Sequence, residues 1–215
     1  MIKNNTFIII LSSLVLAPLI FFLIIKGNFL FSILIFFCFI FSFLEWKNMS
    51  YGKFYFYPGI IFLIFSYYTA YKLRTISEDG LFLFLFIVSV TIGSDIGGFL
   101  FGNIFKGPKL GKISPKKTYS GILGGYIFSI ITTYIYLFLF QLFFKNIQVI
   151  EINYAFILII STVSQTGDLT ISFFKRKSNL KDTGNLIPGH GGILDRTDGV
   201  IFALPFFYIF FNFLI

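Results

Sequence analysis

The feature that most limits how this chain can fold is the grouping of its apolar residues into long blocks. Seven stretches, roughly 6–25, 29–44, 57–71, 81–103, 119–144, 152–174 and 199–215, carry almost no charge. A bilayer core about 30 Å thick is crossed by about 20 apolar helical residues, and several of the blocks reach or approach that length. The expected fold is an all-α polytopic membrane bundle of about seven transmembrane helices. Composition agrees: with 57% hydrophobic and 12% charged residues over 215 positions, a soluble domain would expose far too much apolar surface. The 34 Phe fit the same reading, because Phe replaces Leu without changing the membrane physics. The first block follows Lys3 as in a signal peptide, but it is longer than a usual h-region and no small-residue cleavage site follows it. It is expected to stay as a membrane helix. The lone cysteine, Cys38, excludes an internal disulfide and a cysteine-based metal site.

The connecting segments set the orientation. Lys106, Lys109, Lys112, Lys116 and Lys117 form one basic loop, and Lys175, Arg176, Lys177, Lys181 and Arg196 form another. Two spans separate them, so both fall on one side, which the positive-inside rule makes the cytoplasm. Lys3, Lys47 and Lys53 fall on the same side, leaving Lys26, Lys72, Arg74 and Lys145 outside. The net charge of +8 therefore reflects topology and anionic lipid or phosphate ligands, and no nucleic-acid partner is expected. Residues 1–93 read as N-terminal membrane helices and 94–215 as the helices carrying the site, in one membrane unit. Three Gly-x-x-x-Gly spacings, Gly93/Gly97, Gly98/Gly102 and Gly121/Gly125, suit close helix packing. In a chain with 19 Gly, chance accounts for any one of them about equally well.

Acids inside apolar spans are costly and usually functional. Asp95 lies near the inner end of the fourth span and Asp168 toward the inner half of the sixth. Asp195 and Asp198 stand at the inner mouth of the seventh, so all four can reach one cytosolic pocket. Carboxylates that converge without enough local bases invite a hard divalent cation such as Mg²⁺, which shares its shell with water and substrate phosphates. One His and one Cys leave imidazole and thiolate metals without a ligand set. Ion pairing with Arg196 or Lys175 is the structural alternative, and a cation pathway through a transporter is another. The crowding of the acids on one side, beside basic loops, argues against the pathway.

The bases point to phosphate. Ser114-Pro115-Lys116-Lys117-Thr118 precedes a helix start, where free backbone N–H groups attract anions. Lys175 and Arg176 lie at headgroup depth, where snorkelling anchors are the plain explanation. Snorkelling does not explain Pro188-Gly189-His190-Gly191-Gly192, which reads as a tight backbone loop approaching a ligand. His190 suits a general acid, a phosphate donor or an orienting group equally.

These residues resemble a known pattern. Ser172-Phe173-Phe174-Lys175-Arg176, Lys181-Asp182-Thr183-Gly184 and Ile187-Pro188-Gly189-His190-Gly191-Gly192-Ile193-Leu194-Asp195-Arg196-Thr197-Asp198 resemble, in order and spacing, the signature of the phosphatidate cytidylyltransferases. Asp95 with Gly97 and Gly98, Lys109-Leu110, Ile113 to Thr118, Gly124-Gly125 and Gly167-Asp168-Leu169 are similar to the same family. The resemblance covers roughly 94–199. It departs at Ile96, usually Thr, at Tyr119-Ser120, usually Trp-Glu, and at Ile171, often Glu.

The resemblance implies the reaction CTP plus phosphatidate giving CDP-diacylglycerol plus pyrophosphate, in phospholipid biosynthesis. It implies catalytic roles for Asp168, Lys175, Arg176, Lys181, His190, Asp195, Arg196 and Asp198. Substrate contacts would come from Asp95, Ser114, Lys116, Lys117, Thr118, Ser172, Gly191 and Gly192. Asp168, Asp195 and Asp198 would hold Mg²⁺, with a second metal ion left open. The implied partners are CTP, phosphatidate and membrane lipids, with homodimerisation left open. The implied location is the membrane, the inner membrane in a bacterium, with the site facing the cytoplasm. A related transferase acting on another lipid phosphate is the nearest rival.

Overall fold

The structure is a computed structural model that describes residues 2–75, 79–111, 114, 117–144, 153–184, 186 and 191–214, with side chains from 14 to 210. Eight helices run in chain order: α1 (Ile2–Lys26), α2 (Asn28–Ser50), α3 (Phe56–Thr75), α4 (Gly80–Phe105), α5 (Tyr119–Phe143), α6 (Tyr154–Lys177), α7 (Leu194–Thr197) and α8 (Val200–Leu214). Among the described residues there is no strand, and a lone antiparallel bridge joins Lys109 to Thr118. Each expected apolar block lies on one of the long helices. Four of these, α2, α4, α5 and α6, are long and apolar enough to cross a membrane; the described apolar stretches Leu14–Lys26 and Val200–Phe210 are shorter.

Local chemistry sets the ends. Gly27, at φ +65°, turns α1 into α2, and the Arg74 guanidinium closes the last turn of α1 by donating to the carbonyls of Ile24 and Ile25 at 3.0 and 3.1 Å. Thr118 caps α5 by accepting from Gly121 N–H at 3.1 Å, and Asn153 caps α6 by accepting from Ala155 N–H at 2.9 Å. One boundary differs from expectation. The second apolar block ends at 44, where Glu45 and Lys47 interrupt it, yet α2 continues to Ser50. Glu45 is buried there and bonded to another part of the chain, so its charge does not end the helix.

α4 is the central helix. Leu81 to Ile87 are all buried, which follows from a run that is apolar on every face. Phe31, Ala70, Phe140, Ile160 and Phe207 pack around it as the main core. The site's proposed boundary between residues 93 and 94 falls inside this helix, so the two halves share one body. A second core of Trp46, Met49, Tyr55, Leu63, Tyr67, Ile171, Leu194 and Ile201 lies under the segment that carries α7. Leu194 is fully buried there and pins α7 to the bundle.

α5 runs antiparallel against α4. Thr132 donates to Ser89 O at 3.0 Å and Tyr136 to Phe82 O at 2.8 Å. At the other end the backbones nearly touch: a Cβ on Gly97 would lie 2.1 Å from the carbonyl oxygen of Gly124. The Gly93/Gly97 spacing is thus used for close approach, while Gly98 has room for a Cβ, the nearest atom being 3.7 Å away, and a Cβ on Gly102 would press on Thr118 Oγ1 at 3.3 Å. Gly97→Ala is expected to cost about 1–3 kcal/mol by overpacking. A thermal scan in detergent checks this, with Gly98→Ala expected to show no loss.

Candidate active site

The site forms where the C-terminal halves of α4 and α6 meet the first turn of α5 and the segment leading into α8. α4 stops as Lys106 turns left-handed at φ +54°. The chain then folds back as a hairpin, with Leu110 N–H donating to Lys117 O at 3.0 Å and Tyr119 N–H to Pro108 O at 3.1 Å. This brings Lys117 to the start of α5, where its ammonium pairs with Asp168 of α6. Thr118, expected on substrate, is engaged as the α5 cap and in a 2.9 Å hydroxyl contact with Ser120. Ser114 accepts from Lys117 N–H through its carbonyl at 3.0 Å.

A cavity of about 420 Å³ opens here. Its wall is formed by Ser94, Asp95, Gly98 and Phe99 from α4, Leu110, Lys117, Thr118, Gly121 and Ile122 around the hairpin, and Gln165, Asp168 and Lys175 from α6. Asp182, Asp195, Arg196 and Asp198 close it from the segment leading into α8. Asp95, Asp168, Asp195 and Asp198 are thus brought to one place, as expected, together with Lys117, Lys175 and Arg196.

The acids are not equivalent. Asp195 is extensively bonded: one oxygen accepts from Lys175 Nζ at 2.6 Å, and the other from Thr183 N–H at 2.7 Å, Thr183 Oγ1 at 3.0 Å and Gly192 N–H at 3.0 Å. Burial alone would raise its pKa, but the bonds from Lys175, Gly192 and Thr183 hold the carboxyl below the ordinary carboxylate range. The ion pair with Lys175, the structural alternative for this acid, is therefore what the fold contains. Gly191 passes this carboxylate at φ +83°, and a Cβ there would sit 2.9 Å from Asp195 Oδ2.

Asp198 is the opposite case. It is 7% exposed, and its pKa is pushed up to about 8. The cause is burial first and then the charges of Asp168 and Asp95, which outweigh the influence of Lys175 and the Gly199 N–H. Five carboxylates, Asp95, Asp168, Asp182, Asp195 and Asp198, line the cavity against three basic side chains, Lys117, Lys175 and Arg196, and a cation is the natural complement.

Other expected site residues lie beside the cavity. Ser172 donates to Asp168 at 3.3 Å, so it orients that carboxylate. Arg176 donates to Leu180 O at 3.2 Å at the end of α6, and Lys181 is exposed next to it; neither lines the cavity. Gly192 acts through the N–H it gives to Asp195. Lys116 and His190 lie outside the described residues. Of the three departures from the family pattern, Ile171 is buried in the second core, Ile96 is exposed, and Ser120 bonds to Thr118; none of them lines the cavity.

Sequence reasoning passed over Gln165 and Glu45. Gln165 belongs to a polar seam on α6, Ser161, Gln165, Asp168, Ser172 and Lys175, spaced alternately four and three apart. That spacing puts all five on one helix face and was readable in advance. Glu45 was signalled too, as an acid at the end of an apolar span.

Known proteins resemble this chain over most of its length. Residues 60–214 match the Cytidylyltransferase family. The chain is 34% identical over 207 residues to a phosphatidate cytidylyltransferase of Rickettsia felis, covering 94% of this chain and 91% of that one. It is 40% identical over 141 residues to one from Haemophilus influenzae, covering 63% of this chain and 48% of that one. With one from Bacillus subtilis the identity is 36% over 138 residues, covering 64% and 50%.

Proposed function

Because this chain belongs to the cytidylyltransferase family, we propose that it is a phosphatidate cytidylyltransferase, converting CTP and phosphatidate to CDP-diacylglycerol and pyrophosphate. The observation that carries the reading is the cavity at one end of the bundle, where Asp95, Asp168 and Asp198 face Lys117, Lys175 and Arg196. A phosphatidate oxygen attacks the α-phosphorus of CTP, the bond to the β-phosphate oxygen breaks, and pyrophosphate leaves. The nucleophile is already an anion, so no strong general base is required. Alignment and charge compensation carry the catalysis. Lys117 and Arg196 offer positive charge to the triphosphate from two walls of the cavity. Lys175, held at 2.6 Å by Asp195, presents its ammonium in a fixed place and does not lose rotamer freedom on binding.

The donor set fits a hard divalent cation. Five carboxylates line the cavity against three basic side chains, which leaves room for added positive charge. Among the described residues no three acids stand close enough to enclose a metal ion by themselves. Magnesium does not need that, since it commonly takes one or two carboxylates and completes its shell with phosphate oxygens and water. Asp168 and Asp198 would hold it, with Asp95 beside them and Asp195 kept for the loop. When bound, the cation supplies charge neutralisation at the phosphates.

Lipid access follows from position. The helix surfaces around the site expose Phe99, Ile104, Phe105 and Tyr119, so the cavity opens beside an apolar surface suited to acyl chains. α1, α3 and α8 would complete seven spans with α2, α4, α5 and α6. The basic loops at the cavity end would face the cytoplasm, in the inner membrane of a bacterium, where CTP is available.

The test is transfer of labelled CMP from CTP into lipid by detergent-purified protein. Turnover that requires both phosphatidate and Mg²⁺ is expected. Well-folded protein that transfers nothing to phosphatidate, or transfers only to another lipid phosphate, would refute the assignment.

A further inference from the structure

The N-terminal helices do more than cross the membrane. Glu45, near the end of α2, is 6% exposed, and its carboxylate is surrounded by the segment that closes the cavity. Its Oε1 accepts from Ile193 N–H at 2.9 Å, and its Oε2 accepts from Leu194 N–H at 2.8 Å and from Thr183 Oγ1 at 2.8 Å. The fit is close: a Cβ on Gly192 would lie 2.4 Å from Glu45 Oε2, and one on Gly184 would lie 2.8 Å from Oε1. Glu45 itself does not line the cavity.

Thr183 links this carboxylate to the site. Its single hydroxyl proton stands between Glu45 Oε2 at 2.8 Å and Asp195 Oδ2 at 3.0 Å. Asp195 in turn holds Lys175. A carboxylate buried at such cost persists when its bonds are charge-assisted and complete, and these make it a rigid post. From the network Glu45–Thr183–Asp195–Lys175 we infer that Glu45 is a positioning residue for cytidylyl transfer. It fastens Thr183, Ile193 and Leu194, and with them Lys175, Arg196 and Asp198, in reactive register. This role rests on the cytidylyltransferase reading for its consequence, though not for its geometry.

The test uses the full chain in detergent. In Glu45→Gln the amide places a donor where the carboxylate accepts, against the N–H groups of Ile193 or Leu194 or the hydroxyl of Thr183. Hydrogen exchange at the amides of Ile193 and Leu194 is expected to accelerate at least about tenfold as their acceptors loosen. The kcat is expected to fall by about a hundredfold, the loss typical of small misplacement in an active site, with much smaller changes in KM. Phe31→Ala, which opens the core between α2 and α4, is the control for general loosening of α2. At matched thermal stability it should leave exchange at 193–194 and kcat near wild type. Thr183→Val keeps the two backbone bonds to Glu45 and the Thr183 N–H bond to Asp195, and removes only the hydroxyl that bridges the two carboxylates. It should lower kcat, and adding it to Glu45→Gln should cost little more. Unchanged kcat in both variants, or an equal loss in Phe31→Ala, would overturn the inference. If Glu45→Gln does not fold, Thr183→Val decides alone. A wild-type protein without turnover would overturn the synthase assignment but not the fastening, which exchange reads independently.

Discussion

Asp198→Asn is expected to lower cytidylyl transfer by about 10²–10³-fold while the protein stays folded. The side chain keeps its shape and its place at the mouth of α8, so packing does not change. It loses the carboxylate that, with Asp168, would hold the cation at the phosphates. The substitution also removes a buried carboxylate that burial and the charges of Asp95 and Asp168 oppose. Thermal stability without ligand should therefore hold or rise, the pattern of a site that trades stability for activity. A second readout isolates the cation. Mg²⁺ with CTP should raise the thermal midpoint of the wild type, because a ligand that binds only the folded state stabilises it. The same addition should move Asp198→Asn far less. An Asp198→Asn protein with wild-type turnover would remove Asp198 from the site and leave Asp95 and Asp168 as the remaining acids.

Lys175→Met should have the largest effect on stability. It leaves Asp195, whose side chain is 7% exposed, without its ion-pair partner. Breaking a buried pair from one side typically costs about 3–5 kcal/mol. Asp195 keeps its bonds from Thr183 and Gly192, so the lower end of that range is expected. Turnover should be lost as well, because Lys175 also faces the cavity. The double variant Lys175→Met/Asp195→Asn removes both charges and should recover most of the stability but none of the turnover. Denaturation in detergent, run beside the CMP-transfer assay, separates the two effects. Acid adds a further expectation. The folded-state pKa of Asp195 lies below its unfolded value of about 3.9. Its stabilising contribution is therefore complete above the unfolded pKa and is lost as pH falls through the lower folded value. Asp195→Asn should remove that acid-side dependence.

The individual residues show how far local pattern reaches. The α6 seam carries its own geometry, because residues three and four apart on a helix share a face wherever the helix sits. Asp95 and Asp168 were also legible as site acids, because a carboxylate in an apolar span has to serve some purpose there. The same rule applied to Glu45, but its purpose was not readable. Its partners Thr183, Ile193 and Leu194 are 138 to 149 positions away in sequence. Asp195 shows the same limit. Its charge and position suited a metal ligand, and its bonds to Lys175, Thr183 and Gly192, which tie it to the loop as well, were not readable from local pattern.

What the sequence determined by itself is the class of protein, the placement of its helices, and the neighbourhood of its site. Each follows from short-range facts: the length of an apolar block, the period of a helix, a capping side chain, a contiguous signature. What only the tertiary structure decided is which donors each carboxylate meets. It also decided that α2 reaches across to brace the loop. Those outcomes depend on where helix ends meet, and a buried charge takes its role from the donors that packing brings to it.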